Sequence, residues 1–161
     1  MLAPGPAKAG HYGCMDSARV SEHRLHRLVQ FHETDAAGMV HFSWFYRYME
    51  EAEHALWRAA GLSVAAVQDV FFPRVSASFD FKSPLRFGDE FEMVIRVTGF
   101  SERTIRYACE MSRGETPIAR GTLVAACVSV TPGQPLKAVP IPQAIRDRFA
   151  VAPVQEGSPE A

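Results

Sequence analysis

Within the nine residues Thr34-Asp35-Ala36-Ala37-Gly38-Met39-Val40-His41-Phe42 the chain brings together a carboxylate, an imidazole and the start of a helix. A carboxylate with an ordinary pKa of about 3.9 is ionised at neutral pH and can attack a carbonyl carbon or take a proton from water. The small residues around Gly38 let a ligand approach the backbone closely. The first turn of a helix presents unpaired N–H groups and a positive dipole end, which suits a developing oxyanion. His41 can hydrogen-bond a ligand, assist proton transfer or serve structure alone, and Glu50 offers a second carboxylate further along the helix. The same spacing also fits an Asp that closes an Asx turn ahead of a helix, so the residue types leave both readings of Asp35 open.

The surrounding elements must hold these groups in place. Arg24 to His32 puts Leu25, Val29 and Phe31 on one parity, the period of a half-buried strand, with Arg27 interrupting it. Phe42, Phe45, Met49, Ala52, Leu56 and Ala59 recur at spacings of three and four, predicting a helix over 43–60 whose other side is charged. Gly61 stands where a left-handed cap is wanted. The period then becomes two: Val75 to Phe81, Phe91 to Val97 and Ile105 to Met111 alternate, with Ser83-Pro84 and Gly88-Asp89 as turn signals. Ile118 to Val130 is apolar on both parities, as expected of a central strand covered on both faces, and a short helix follows Pro142. Two layers around one core then make an α+β fold, a long central helix wrapped by a curved antiparallel sheet of about five strands.

With 161 residues, 17 basic against 18 acidic side chains, 47% apolar and 22% charged, the chain has the make-up of one soluble domain. Its net charge of -1 provides no basic field, so neither nucleic acid nor an anionic membrane is expected as a partner. No apolar run is long enough to span a membrane, and Met1 to Gly13 lacks the form of a secretory signal. Cys14, Cys109 and Cys127, with no C-x-x-C spacing, argue against a disulfide framework or a zinc site and for a reducing cytoplasm. Residues 1–22 and 151–161 have no period and are expected to be flexible tails around a domain over 23–150, with Met15 an alternative start of translation. So short a chain has little room to wall off a deep pocket, which points to a second subunit completing any such site.

The stretch from Phe31 through Thr34-Asp35-Ala-Ala-Gly38-Met-Val-His41-Phe42 to Glu50-Glu-Ala resembles the signature of hotdog-fold acyl-CoA thioesterases. The likeness is to the 4-hydroxybenzoyl-CoA thioesterase and 1,4-dihydroxy-2-naphthoyl-CoA hydrolase type, and Lys82-Ser-Pro-Leu-Arg-Phe-Gly-Asp89 and Pro140-Ile-Pro142 resemble the same group. The resemblance implies a hotdog fold and hydrolysis of an acyl-CoA, aromatic acyl groups among the candidates, to free acid and coenzyme A without metal or other cofactor. By the same resemblance Asp35 is the nucleophile or general base, and the Phe42 N–H polarises the thioester carbonyl. Related enzymes often carry an aromatic residue at the position of His41, or a His where this chain has Phe42. Glu50 matches the helix from which another hotdog branch draws its carboxylate, but beside Asp35 it reads as solvated or ion-paired. Coenzyme A phosphates would meet Arg103, with Thr104 beside it, and Arg106, Arg86, Lys82 and Arg120 as weaker matches, while Gly38 lies in the substrate-binding loop. Phe45, Met49, Phe72 and Val75 would line the acyl pocket. A homodimer assembling to a homotetramer is implied. The rival readings are a dehydratase or hydratase of acyl thioesters and a non-catalytic acyl-CoA-binding module, and the Thr34-Asp35 pair favours hydrolysis over both.

Overall fold

A computed structural model describes residues 19–64 and 70–153. β1 (Glu22–Leu28) leads through a 3-10 turn (Phe31–Glu33) to the helix α1 (Phe42–Ala59). Then come β2 (Val70–Phe71), β3 (Arg74–Phe81), β4 (Glu90–Phe100), β5 (Thr104–Arg113), β6 (Thr116–Ala126), β7 (Val128–Ser129), β8 (Lys137–Ala138) and α2 (Gln143–Arg146). Five strands form one antiparallel sheet in the order β1-β4-β5-β6-β3, and β2, β7 and β8 form a small second sheet.

The three-and-four spacing of α1 lays Phe45, Tyr48, Met49, Ala52 and Leu56 on the inner face of the sheet. There they meet Phe91, Met93 and Ile95 of β4 and Ile105, Tyr107, Cys109 and Met111 of β5, all buried. Full burial of each large apolar side chain contributes roughly 1.5–3 kcal/mol, so this layer dominates the stability of the fold. At the far end of α1 the Trp57 indole donates to the Tyr107 hydroxyl at 3.0 Å, and Phe72 and Phe149 pack on its ring. Gly61, at φ +73°, ends the helix as its position requires, with the Leu62 N–H donating to the Trp57 carbonyl.

Four expectations change in detail. β1 stops at Leu28 rather than reaching His32, because the chain turns at Gln30 and leaves Phe31 exposed, its ring edge-on to Phe87. β3 alternates as expected but is the sheet edge and lies mostly in the open, with Val75 61% and Phe81 50% exposed. Only β6 pairs with it among the described strands, and Gly121 of β6 leaves room for the Phe79 ring, which would lie 2.5 Å from a Cβ placed there. β6 buries Gly121, Leu123 and Ala125 against the core while Arg120 and Thr122 on its other face are exposed, so it is covered on one face rather than two. Lastly, the hydrogen-bonded fold extends past 23–150: Val20 donates to the Arg148 carbonyl and Ala152 to that of Val97. Residues 1–18, Cys14 and Met15 among them, and 154–161 of the expected tails lie outside the described residues. No helix among the described residues is long and apolar enough to cross a membrane.

Candidate active site

Two loops meet at the start of α1. In the first, Asp35 donates its N–H to the Met39 carbonyl at 2.7 Å and accepts Gly38 N–H on its own carbonyl at 3.0 Å, closing a tight turn with Gly38 at φ +71°. The Asp35 Oδ1 accepts the N–H groups of Ala37 (2.8 Å) and Met39 (3.2 Å). Asp35 is therefore an Asx-turn former, yet its Oδ2 has no protein partner among the described residues and the side chain is exposed. The second loop, between β3 and β4, lies alongside: Val40 N–H donates to the Leu85 carbonyl at 2.8 Å, and Met39 bridges to Arg86.

His41 caps α1, its Nδ1 facing the Ser43 N–H (3.4 Å) and hydroxyl (2.8 Å), and its ring lies 4.5 Å from that of Phe42. Phe42 opens the helix, and its N–H has no protein acceptor among the described residues. That free N–H stands at the positive end of an 18-residue helix. Asp35, His41, Phe42, Phe45, Phe81 and Lys82 line one cavity of about 390 Å³. The residues that carry a carboxylate, an unpaired backbone donor and a lysine thus border one largely apolar space, and such groups can polarise a carbonyl and deliver an attacking oxygen to it.

The other expected residues lie at measured removes. Arg86 reaches the Gly38 carbonyl at 3.5 Å, so it borders the Asp35 loop. Glu50 lies two helical turns on, 3.5 Å from the Arg74 guanidinium, and lines an adjoining cavity of about 540 Å³ with Phe42, Met49 and Arg74. Phe72 packs on Trp57 at the far end of α1 and does not line either cavity. Arg103 sits in the β4–β5 turn and Thr104 opens β5, paired with Ala126, whereas Phe81 pairs with Ala119 at the other end of β6. At ~3.3 Å per residue that separates them from the Asp35 cavity by roughly 20 Å within one chain.

The family model of the Thioesterase-like superfamily matches residues 29–149, a span that takes in both loops and α1. The chain belongs to the thioesterase-like superfamily. It is 25% identical over 132 residues to the 1,4-dihydroxy-2-naphthoyl-CoA hydrolase of Synechococcus elongatus, covering 80% of this chain and 95% of that protein. The 1,4-dihydroxy-2-naphthoyl-CoA thioesterase from Synechocystis superposes with a TM-score of 0.72 at 27% identity, over 80% of this chain and 95% of that one. The 4-hydroxybenzoyl-CoA thioesterase from Pseudomonas sp. strain CBS-3, 15% identical, covers 79% of this chain and 98% of its own with a TM-score of 0.72, and so shares the fold. The fold of this thioesterase-like protein is the hotdog arrangement that its sequence resembles.

Two buried carboxylates of this thioesterase-like domain were not singled out from the sequence. Glu33 and Glu53 are both fully buried. Burial alone pushes the Glu33 carboxyl up, but hydrogen bonds from Gln30, Tyr48 and Arg27 outweigh it and hold the group below the usual glutamate range. Burial raises Glu53, and the Arg74 guanidinium beside it offsets only part of the rise. One signal for the first was available: Arg27 falls on the inward parity of β1, and an inward-facing guanidinium requires an acidic partner.

Proposed function

We propose that this protein hydrolyses an aromatic acyl-CoA thioester to the free acid and coenzyme A at the cavity between Asp35 and Phe42. The observation that carries the reading is the pairing of a carboxylate oxygen without a protein partner and an unpaired helix-start N–H on one apolar cavity. The Synechococcus and Synechocystis relatives named for 1,4-dihydroxy-2-naphthoyl-CoA support the aromatic acyl group.

In this mechanism the thioester oxygen rests on the Phe42 N–H, which stabilises the negative charge that develops when the carbonyl carbon is attacked. Asp35 either attacks that carbon through Oδ2, or takes a proton from a water that attacks. The C–S bond then breaks, and the thiolate leaves with a proton from solvent or from the protonated Asp35. On the nucleophilic route a water then attacks the Asp35 carboxyl carbon of the resulting anhydride, releases the free acid and restores the carboxylate. Single turnover in heavy-oxygen water separates the two, because only the nucleophilic route places label in Asp35.

Lys82, which lines the cavity, meets the phosphates of coenzyme A. Arg103 and Thr104 reach them from a second copy: antiparallel pairing of two β3 edges would set the Arg74 end of one strand beside the Phe81 end of the other. The exposed edge and the separation of Arg103 from Asp35 within one chain both support such a homodimer, with two dimers forming a tetramer. Two buried free thiols support a reducing cytoplasm; burial pushes Cys109 up to about 12, so it is inert. The test is release of free thiol from a panel of benzoyl-, hydroxybenzoyl-, hydroxynaphthoyl- and straight-chain acyl-CoAs. Hydrolysis led by the aromatic members is expected. Binding without thiol release would favour a non-catalytic module, and turnover confined to enoyl substrates a hydratase.

A further inference from the structure

Glu33 lies two residues before Asp35 in a surface turn, yet it has no solvent exposure. Its Oε2 accepts the Gln30 N–H at 2.8 Å and the Tyr48 hydroxyl at 2.7 Å, while Oε1 accepts from the Arg27 guanidinium. Arg27 also pairs with Glu51 and lies 4.7 Å over the Tyr48 ring. One carboxylate therefore ties β1, the 3-10 turn and α1 together. Its backbone closes the loop as well: the Glu33 carbonyl accepts the His41 N–H at 2.9 Å, and the next residue, Thr34, bridges to Val40. Both ends of the segment that carries Asp35 and delivers Phe42 are thus fastened at Glu33.

Stability alone does not call for a charge here, since a buried ion pair replaced by well-packed apolar groups is often neutral or stabilising. What a carboxylate adds is direction: three fixed donors, each from a different element, set where the turn sits relative to the helix start. We infer that Glu33 is a positioning residue that holds the Asp35 carboxylate and the Phe42 N–H at their working separation. This inference rests on the reading of Asp35 under Proposed function.

The variants are Glu33→Gln, the milder Tyr48→Phe, which leaves the Gln30 and Arg27 bonds, and Tyr107→Phe, which loses a buried hydrogen bond remote from the loop. Two readouts are taken: amide exchange at Met39 and His41, and benzoyl-CoA kinetics. Glu33→Gln is expected to speed loop exchange about tenfold or more, and to lower kcat about 10- to 100-fold with KM within about threefold. Tyr48→Phe moves both in the same direction by less. Tyr107→Phe lowers the melting temperature with kcat and loop exchange unchanged. Unchanged loop exchange in Glu33→Gln, or unchanged kcat where Asp35→Asn abolishes turnover, overturns the inference. If Asp35→Asn itself keeps full turnover, the Asp35 reading is at fault, and exchange at Met39 and His41 alone then decides whether Glu33 holds the loop.

Discussion

Asp35 and Met39 bind each other twice: Met39 donates its N–H to the Asp35 Oδ1 at 3.2 Å, and Asp35 donates its own N–H to the Met39 carbonyl at 2.7 Å. The Met39 and Ala37 N–H groups occupy one carboxylate oxygen and leave Oδ2, on a residue that lines the cavity, without a protein partner among the described residues. The turn-forming and the chemical readings of Asp35 are therefore compatible, because each uses a different oxygen of one group.

The turn that orients Asp35 depends on Gly38 at φ +71°. Gly38→Ala should cost about 1–2 kcal/mol of stability through that left-handed backbone. A steric clash adds nothing, since a Cβ would meet the Arg86 Nη1 at an ordinary 3.7 Å. Urea unfolding measures the loss, and turnover should fall with it as the turn relaxes. A variant as stable as the native protein would contradict the strain argument.

The buried Glu33 should also mark the acid limit of the protein. Its pKa is lowered in the folded state despite burial, because Gln30, Tyr48 and Arg27 donate to it. A depressed carboxyl contributes stability that is full above its unfolded pKa of about 4.3 and is lost as pH falls through the lower folded value. The stability gap between native protein and Glu33→Gln should therefore be widest near pH 7 and narrow below about pH 4, measured by unfolding across that range. Glu53 runs the other way: its raised pKa makes its ionised form a cost at neutral pH that acid relieves.

The helix, the inner residues of β4 and β5 and the Gly61 cap were legible because their periods and turn chemistry are local. Val75 to Phe81 showed the right period but not its setting, since a strand at the open edge and one in the middle alternate alike. Asp35, His41, Phe42 and Lys82 proved to share a cavity, while Arg103 and Thr104 did not join it within the chain. Pattern reading places residues on elements, but the separation of two turns depends on sheet order. Glu33 went unnoticed because a lone Glu in a polar stretch looks solvated, and its partners Arg27 and Tyr48 come from two other elements.

If Lys82 and Arg103 meet phosphates, their loss should be felt only by substrates that carry them. Lys82→Ala and Arg103→Ala should each raise KM for benzoyl-CoA about three- to tenfold. The benzoyl thioester of N-acetylcysteamine, which lacks the nucleotide, should be hydrolysed as by the native protein. Equal effects on both substrates would remove these residues from phosphate binding.

The open β3 edge predicts that the active particle is larger than one 17.8 kDa chain. Light scattering after size-exclusion chromatography should give twice or four times that mass, coincident with thioesterase activity. An active monomer would contradict the shared site.

The most direct measurement is free-thiol release by Asp35→Asn from the aromatic acyl-CoA that the native protein turns over best. Asparagine keeps an oxygen to accept the Ala37 and Met39 N–H groups, so the turn and the melting temperature should survive while the attacking or proton-accepting oxygen is lost. Turnover should fall about 10²- to 10⁴-fold. A folded Asp35→Asn protein that hydrolyses the thioester at the native rate would contradict the proposed mechanism.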